Sequence, residues 1–214
     1  MELYEAIKQR RSARKFLDKD VSNNDLKKII DAANHAPTAC DIQGYRFIIV
    51  NDKKVKQRIV DNGAASFIMG APAGVLVLYD NRTKNIEYND NVQSGAAAIQ
   101  NMLLMAYSIG IGSCWICHLP TKKQLRKILK IPHNYDPLAY IALGYPLKKI
   151  KERPRRHKTE ELMSYNKFSF KEKTPSRIEL RLWVNRLGRR VYYKLPMRKY
   201  IKPIVDKLFE KKFE

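Results

Sequence analysis

The eighteen residues from Val92 to Ile109 carry no charge, and Ala, Leu and Met fall on nearly every side when they are wound into a helix. A segment of that kind does not lie on a surface with one face wet. It reads as a helix buried all round, which the rest of the chain must be arranged to cover. At 214 residues and 44% hydrophobic, the chain is long enough to do this with a single core, as one domain or one domain plus an appendage.

The flanking segments supply the cover. Leu3, Ala6 and Ile7, then Leu26, Ile29, Ile30 and Ala33, recur at helical spacing and predict amphipathic helices over 3–10 and 22–35. Ser22 and the residues after it offer N-cap chemistry, and Pro37 stops the second helix. Arg46–Val50 and Gly74–Tyr79 are β-rich runs ended by Asn and Asp, expected to be buried strands, with a helix between them over 53–67. Gly110 and Gly112 end the central helix; 113–116 reads as a strand, 121–129 as a basic helix, and 138–143 as a last strand closed by Gly144-Tyr145-Pro146. Helices alternating with strands, without an internal repeat, place the chain in the α+β class.

The apolar runs are too short and too interrupted for a membrane span, and the N-terminus lacks the apolar core of a signal peptide, so a cytoplasmic protein is expected. Three cysteines, Cys40, Cys114 and Cys117, do not pair off completely, and reduced thiols are expected. The formal net charge of +21 would draw phosphates, nucleic acid or anionic lipid. Residues 166–214 hold 15 Lys+Arg against 5 Asp+Glu, a net +10, so the tail needs its own explanation.

Four segments carry candidate chemistry. Arg10-Arg11-Ser12-Ala13-Arg14 sets three guanidiniums and a hydroxyl directly after a helix; this is a solvated basic turn or a phosphate cradle, since arginine forks match phosphate oxygens. Pro37-Thr38-Ala39-Cys40-Asp41-Ile42-Gln43 is a polar loop between helix and strand, either a plain connection or a set of amides offered to a planar heterocycle. Gly110–Cys117 and Ala142–Pro146 contain glycines that permit close backbone approach, and Arg153, Arg155 and Arg156 follow the second.

In this order and spacing, the segments RRSARKF, APTACDIQGYRFIIV, FIMGAPAGVLVL, AAAIQNMLLMA with IGIGSCWI, and ALGYP with RPRR resemble the nitroreductase family of FMN enzymes over about residues 1–165. The resemblance implies a central, mostly antiparallel sheet flanked by helices, in an intertwined homodimer with FMN at the subunit interface. Residues 166–214 fall outside it as a basic helical extension. The family's phosphate grip maps onto Arg10, Ser12, Arg14 and Arg155 or Arg156, with Arg11 helping to hold the flavin. Pro37, Thr38 and Ala39 would lie against the partner subunit's flavin, Asp41 and Gln43 follow them, and the backbone near Cys117 and His118 would sit by flavin N5. Gly144 completes the expected cofactor set, and no metal is expected. The implied reaction carries two electrons from NAD(P)H to a nitroaromatic, quinone or similar small acceptor by a ping-pong mechanism. Reductive dehalogenation and flavin breakdown are alternatives on the same scaffold, and a non-enzymatic polyanion-binding protein acting through the basic tail is the alternative outside enzymes.

Two departures bear on that reading. Asp41 stands where the family usually has asparagine, and a carboxylate there disfavours the anionic reduced flavin, lowering its potential. The stretch from Asp80 to Val92 is short, so the lid over the acceptor pocket is reduced.

Cys114 and Cys117 form a CxxC, but on a strand residues i and i+3 point to opposite faces, which argues against a redox dithiol. His118 is either a proton guide near the flavin or a capping residue, while His133 and His157 read as surface residues. In the tail, Leu180, Val184, Leu187 and Val191 recur at helical spacing among basic and aromatic residues. Packing of that apolar side on the body is favoured over binding nucleic acid or an anionic membrane.

Overall fold

The computed structural model describes residues 2–83, 85, 87–148, 150, 154–170 and Leu187. The chain divides into two compact units, Met1–Lys151 and Glu152–Glu214. The second therefore begins ahead of the composition change at Asn166. Its described part contains a 3₁₀ turn over Thr159–Leu162, an ion pair between His157 and Glu161 at 3.3 Å, and the edge-to-face rings of Phe168 and Phe170. Of the tail residues expected to form an apolar stripe, Leu180, Val184 and Val191 lie outside the described residues, and Leu187 is exposed.

The first unit is built in the order α1 (Leu3–Gln9), α2 (Asn23–Asn34), β1 (Tyr45–Val50), α3 (Lys53–Asp61), β2 (Ala73–Asp80), α4 (Asp90–Ser108), β3 (Gly112–Ile116), α5 (Lys122–Leu129) and β4 (Tyr135–Gly144). The four strands form one sheet, ordered β1-β2-β4-β3, with every neighbouring pair antiparallel. The period of two along each strand sorts the side chains between two cores. Val75, Val77, Tyr79, Ile141 and Leu143 meet α2 and α4 on one face. Leu76, Leu78, Tyr140, Ala142 and Cys114 meet α3 and α5 on the other. With helices on both faces, β2 is buried along its whole length.

Four expectations are corrected by this arrangement. β1 is not a buried strand: it pairs only with β2 among the described residues, and Arg46 and Ile49 are exposed. The helix expected over 53–67 ends at Asp61, because Gly63 takes φ 116°, a left-handed conformation that closes the helix, and the chain resumes as a 3₁₀ turn over Ser66–Gly70.

β4 begins at Tyr135 rather than 138 and runs through Pro137. The register shift between Val77 and Leu78 makes Leu138 the extra residue of a bulge, where a proline is tolerated. Leu138 then packs on α4 at Gly95, where an added Cβ would stand 2.2 Å from Leu138 Cδ1. Lastly, α4 is not buried on every side within one chain. Ala98, Ile99, Met102 and Leu103 face the core, while Val92, Gln93 and Gln100 are exposed.

Candidate functional site

After α1 the chain does not loop away from the sheet but runs along the end of it. Ser12 bridges Ser113 in parallel fashion and the Ala13 N–H donates to Ser113 O at 2.9 Å, which extends the sheet past β3. Phe16 bridges Pro146, with Leu17 N–H to Tyr145 O at 2.8 Å and Leu147 N–H to Lys15 O at 3.0 Å. Small residues make the approach feasible. A Cβ on Gly112 would stand 2.9 Å from Ala13 Cβ, and one on Gly144 would stand 2.6 Å from Pro72 Cδ and 2.9 Å from Phe16 Cδ1. The place of Gly144 in the sequence is thus explained by packing of the strand end.

The lacing fixes the basic segment against β3. Arg10, Arg11, Ser12 and Arg14 are half-buried. Burial pushes the Cys114 thiol up, against the opposing pull of Arg14, a hydrogen bond with Ser12, and Arg10. Arg11 turns back instead, and its Nη1 donates to Lys8 O at 2.6 Å and Arg10 O at 2.8 Å, closing the end of α1. Ser113, to which Ser12 and Ala13 are paired through the backbone, is 1% exposed, and its Oγ has no hydrogen-bond partner among the described residues. A buried hydroxyl so placed costs free energy unless a further acceptor reaches it. Sequence reading missed Ser113; a hydroxyl in an otherwise apolar strand, directly opposite the basic segment, was the available signal.

The second expected segment is held just as firmly. The Ala39 N–H donates to Ser94 Oγ at 3.1 Å, and the Ser94 hydroxyl donates to Asp90 O at 2.8 Å, tying the loop to α4. Ser94 is another residue that nothing in its sequence surroundings singles out. The Gln43 N–H reaches Thr38 Oγ1 at 3.2 Å, and the Gln43 side-chain amide donates to Asp41 Oδ1 at 2.7 Å. Cys40, Asp41 and Gln43 all adopt positive φ, at 51°, 53° and 49°. Three non-glycine residues in that region within four positions store backbone strain that the surrounding hydrogen bonds must sustain, a feature concentrated at functional loops. Pro37, Asp41 and Gln43 remain exposed, and Thr38 and Ala39 half-buried.

The Cys114–Cys117 pair behaves as extended geometry requires: Cys114 and Ile116 are buried, Trp115 and Cys117 exposed, and all three cysteines are free. His118 follows half-buried, its carbonyl accepting the Ala65 N–H at 3.3 Å. His133 and His157 are exposed, as expected. Arg155 and Arg156 are exposed and belong to the second unit. No group of three or more His, Cys, Asp or Glu suited to a metal ion occurs among the described residues.

A strand-extending basic segment, a strained polar loop pinned to a central helix, and a sheet covered on both faces form a recognisable set. The sequence profile of the nitroreductase family matches residues 7–62 and 60–145. The chain belongs to the nitroreductase family. It is 34% identical over 150 residues, 68% of this chain and 78% of the other, to a protein of Methanothermobacter thermautotrophicus provisionally named NADH dehydrogenase/NAD(P)H nitroreductase. It is 28% identical to an FMN reductase [NAD(P)H] of Bacillus subtilis, over 72% of this chain and 70% of that one. Its fold is similar to the crystal structure of a provisionally named nitroreductase from Desulfovibrio desulfuricans in complex with FMN. There the TM-score is 0.66 at 27% identity, covering 79% of this chain and 99% of the other. Membership of the family makes this protein an oxidoreductase.

Proposed function

We propose that this nitroreductase-family protein binds FMN and carries two electrons from NAD(P)H to a nitroaromatic, quinone or similar small acceptor. The observation that carries the reading is the cluster at β3. Arg10, Ser12 and Arg14, all half-buried, lie in one short segment that Ser12 and Ala13 tie to β3 at Ser113. A dianionic phosphate fits that donor set, because arginine and hydroxyl groups on a charged oxygen form short, charge-assisted hydrogen bonds. Bound FMN supplies a ring able to take up and release an electron pair, chemistry no side chain here offers.

The chain's own residues bind and orient. Arg10 and Arg14 neutralise phosphate charge, and Ser12 sets its register. Arg11 holds the end of α1 so that its neighbours stay in place. The strained loop from Pro37 to Gln43 presents a fixed polar edge, in which Asp41 is oriented by Gln43. In a homodimer this edge lies against the partner subunit's flavin, and the exposed side of α4 at Val92, Gln93 and Gln100 supplies surface for the second copy. Donor and acceptor use one site in turn, which is a ping-pong mechanism.

The test is direct. The purified protein is expected to show the visible absorption of about one flavin per chain. Replacing Arg10 and Arg14 together by alanine removes two charge-assisted contacts, each worth about 1.5–3 kcal/mol, so flavin affinity should fall by about 10²–10⁴-fold. Unchanged flavin content in that variant would refute the cradle. Parallel double-reciprocal plots for donor and acceptor support the shared site, and intersecting ones contradict it.

A further inference from the structure

The layer formed by α3 and α5 carries a concentration of charge that the flavin site does not use. Lys53, Lys54 and Arg58 on α3, and Lys123, Lys127 and Lys130 on and just after α5, are all exposed. Both helices press Ile59, Val60 and Leu125 onto the same side of the sheet. The Gln124 amide donates to Asn62 Oδ1 at 3.2 Å, so the end of α3 adjoins the start of α5. The six cations thus stand on one outward layer. The acidic groups among them are already engaged: Asp52 caps α3 through the Val55 N–H, Asp61 accepts from Gln57, and Asp136 is held by Lys122 and Arg126.

Like charges gathered this way repel one another and raise the potential over the surface, which an anionic partner relieves. The chemistry of the layer narrows the partner. Five of the six cations are lysines, compact point charges without the planar fork that reads base edges. Neither helix contains an aromatic residue on which a base would stack. The charges are spread over two helices side by side, a field rather than a line. Such a field matches a plane of anionic headgroups, to which each lysine near the surface adds a similar increment.

We infer that the α3–α5 layer docks this protein on the surface of an anionic lipid bilayer. The inference goes beyond the flavin chemistry and does not depend on it. Flotation of the full-length protein with phosphatidylcholine vesicles, with and without phosphatidylserine, tests it. Binding is expected only with phosphatidylserine and should be reversed by added salt. With about fivefold per lysine, the variant Lys53→Glu/Lys54→Glu/Lys123→Glu/Lys127→Glu should lose affinity by at least 10²-fold, while the matching Lys→Arg variant keeps it. The milder pair Lys123→Gln/Lys127→Gln should lose about 25-fold with an unchanged melting temperature, and decides the matter if the fourfold variant does not fold. Equal binding to both vesicle types overturns the inference. So does undiminished binding by the charge-altered proteins, which would assign it to the tail, or a DNA duplex that outcompetes the vesicles at equal phosphate.

Discussion

At Gly144 the missing side chain lets Pro72 and Phe16 close on the end of β4, and the basic segment reaches the strand through that closure. Gly144→Ala puts a methyl group within 2.6 Å of Pro72 Cδ, and overpacking of this kind costs about 1–3 kcal/mol. Gly70 is the matched control, since nothing lies within 4 Å of its added Cβ. In urea unfolding the midpoint should fall for Gly144→Ala and stay put for Gly70→Ala; equal midpoints for both would remove the packing account of Gly144.

Cys114 illustrates a different balance at the same scale. Burial raises its thiol pKa despite the nearby arginines, and only the thiolate is an effective nucleophile. Alkylation followed by mass spectrometry should therefore label Cys114 only as the protein unfolds. Prompt labelling of the native protein would mean the β3 edge is open.

Among the elements, α5 has the most explicit start. The Gln124 N–H donates to Thr121 Oγ1 at 3.3 Å, while the Thr121 N–H donates to Gln124 Oε1 at 3.0 Å, a reciprocal capping box. Thr121→Ala is expected to cost about 1 kcal/mol, and adding Gln124→Ala should cost less than the sum of the two single changes, because each side chain orients the other. A thermal-melt double-mutant cycle with strict additivity would show that the two caps act alone.

For the molecule as a whole, the pH dependence of stability should report on two carboxylates at the β2 and β4 ends. The Arg82 side chain donates to Asp80 and, outweighing the opposing effect of burial, holds its carboxyl below the ordinary value. Burial pushes Asp136 up, but hydrogen bonds and charge from Lys122, Asn81 and Arg126 prevail and lower it. A depressed folded-state pKa contributes stability that is complete above the unfolded value of about 4 and is lost as pH falls through the folded one. Stability should therefore be flat from neutrality to about pH 5 and decline below about pH 4. Asp136→Asn is expected to cost about 1–3 kcal/mol at neutral pH and to flatten the acid limb. An acid limb as steep as that of the unaltered protein would exclude Asp136 as its source.

Periodicity and composition determined a good deal of this protein. An uncharged run of eighteen residues predicts a long helix packed on a core, and α4 is that helix, its apolar side against α2 and the sheet. The β-rich run at β2 was legible because an unbroken apolar run of that length suits a strand covered on both faces. The tertiary structure decided what depends on neighbours distant in sequence. β1 became an edge because, among the described residues, only β2 pairs with it, and the bulge of β4 sets Leu138 against α4 at Gly95. Lys56, one more charge in a basic helix by sequence, is 2% exposed and donates to Ala71 O at 2.7 Å. Ser113 became a candidate ligand group only when Ser12 was laid beside it. A side chain's chemistry is written at its own position, but its solvation and its partners are set by elements tens of residues away, and those alone turn a hydroxyl into a site.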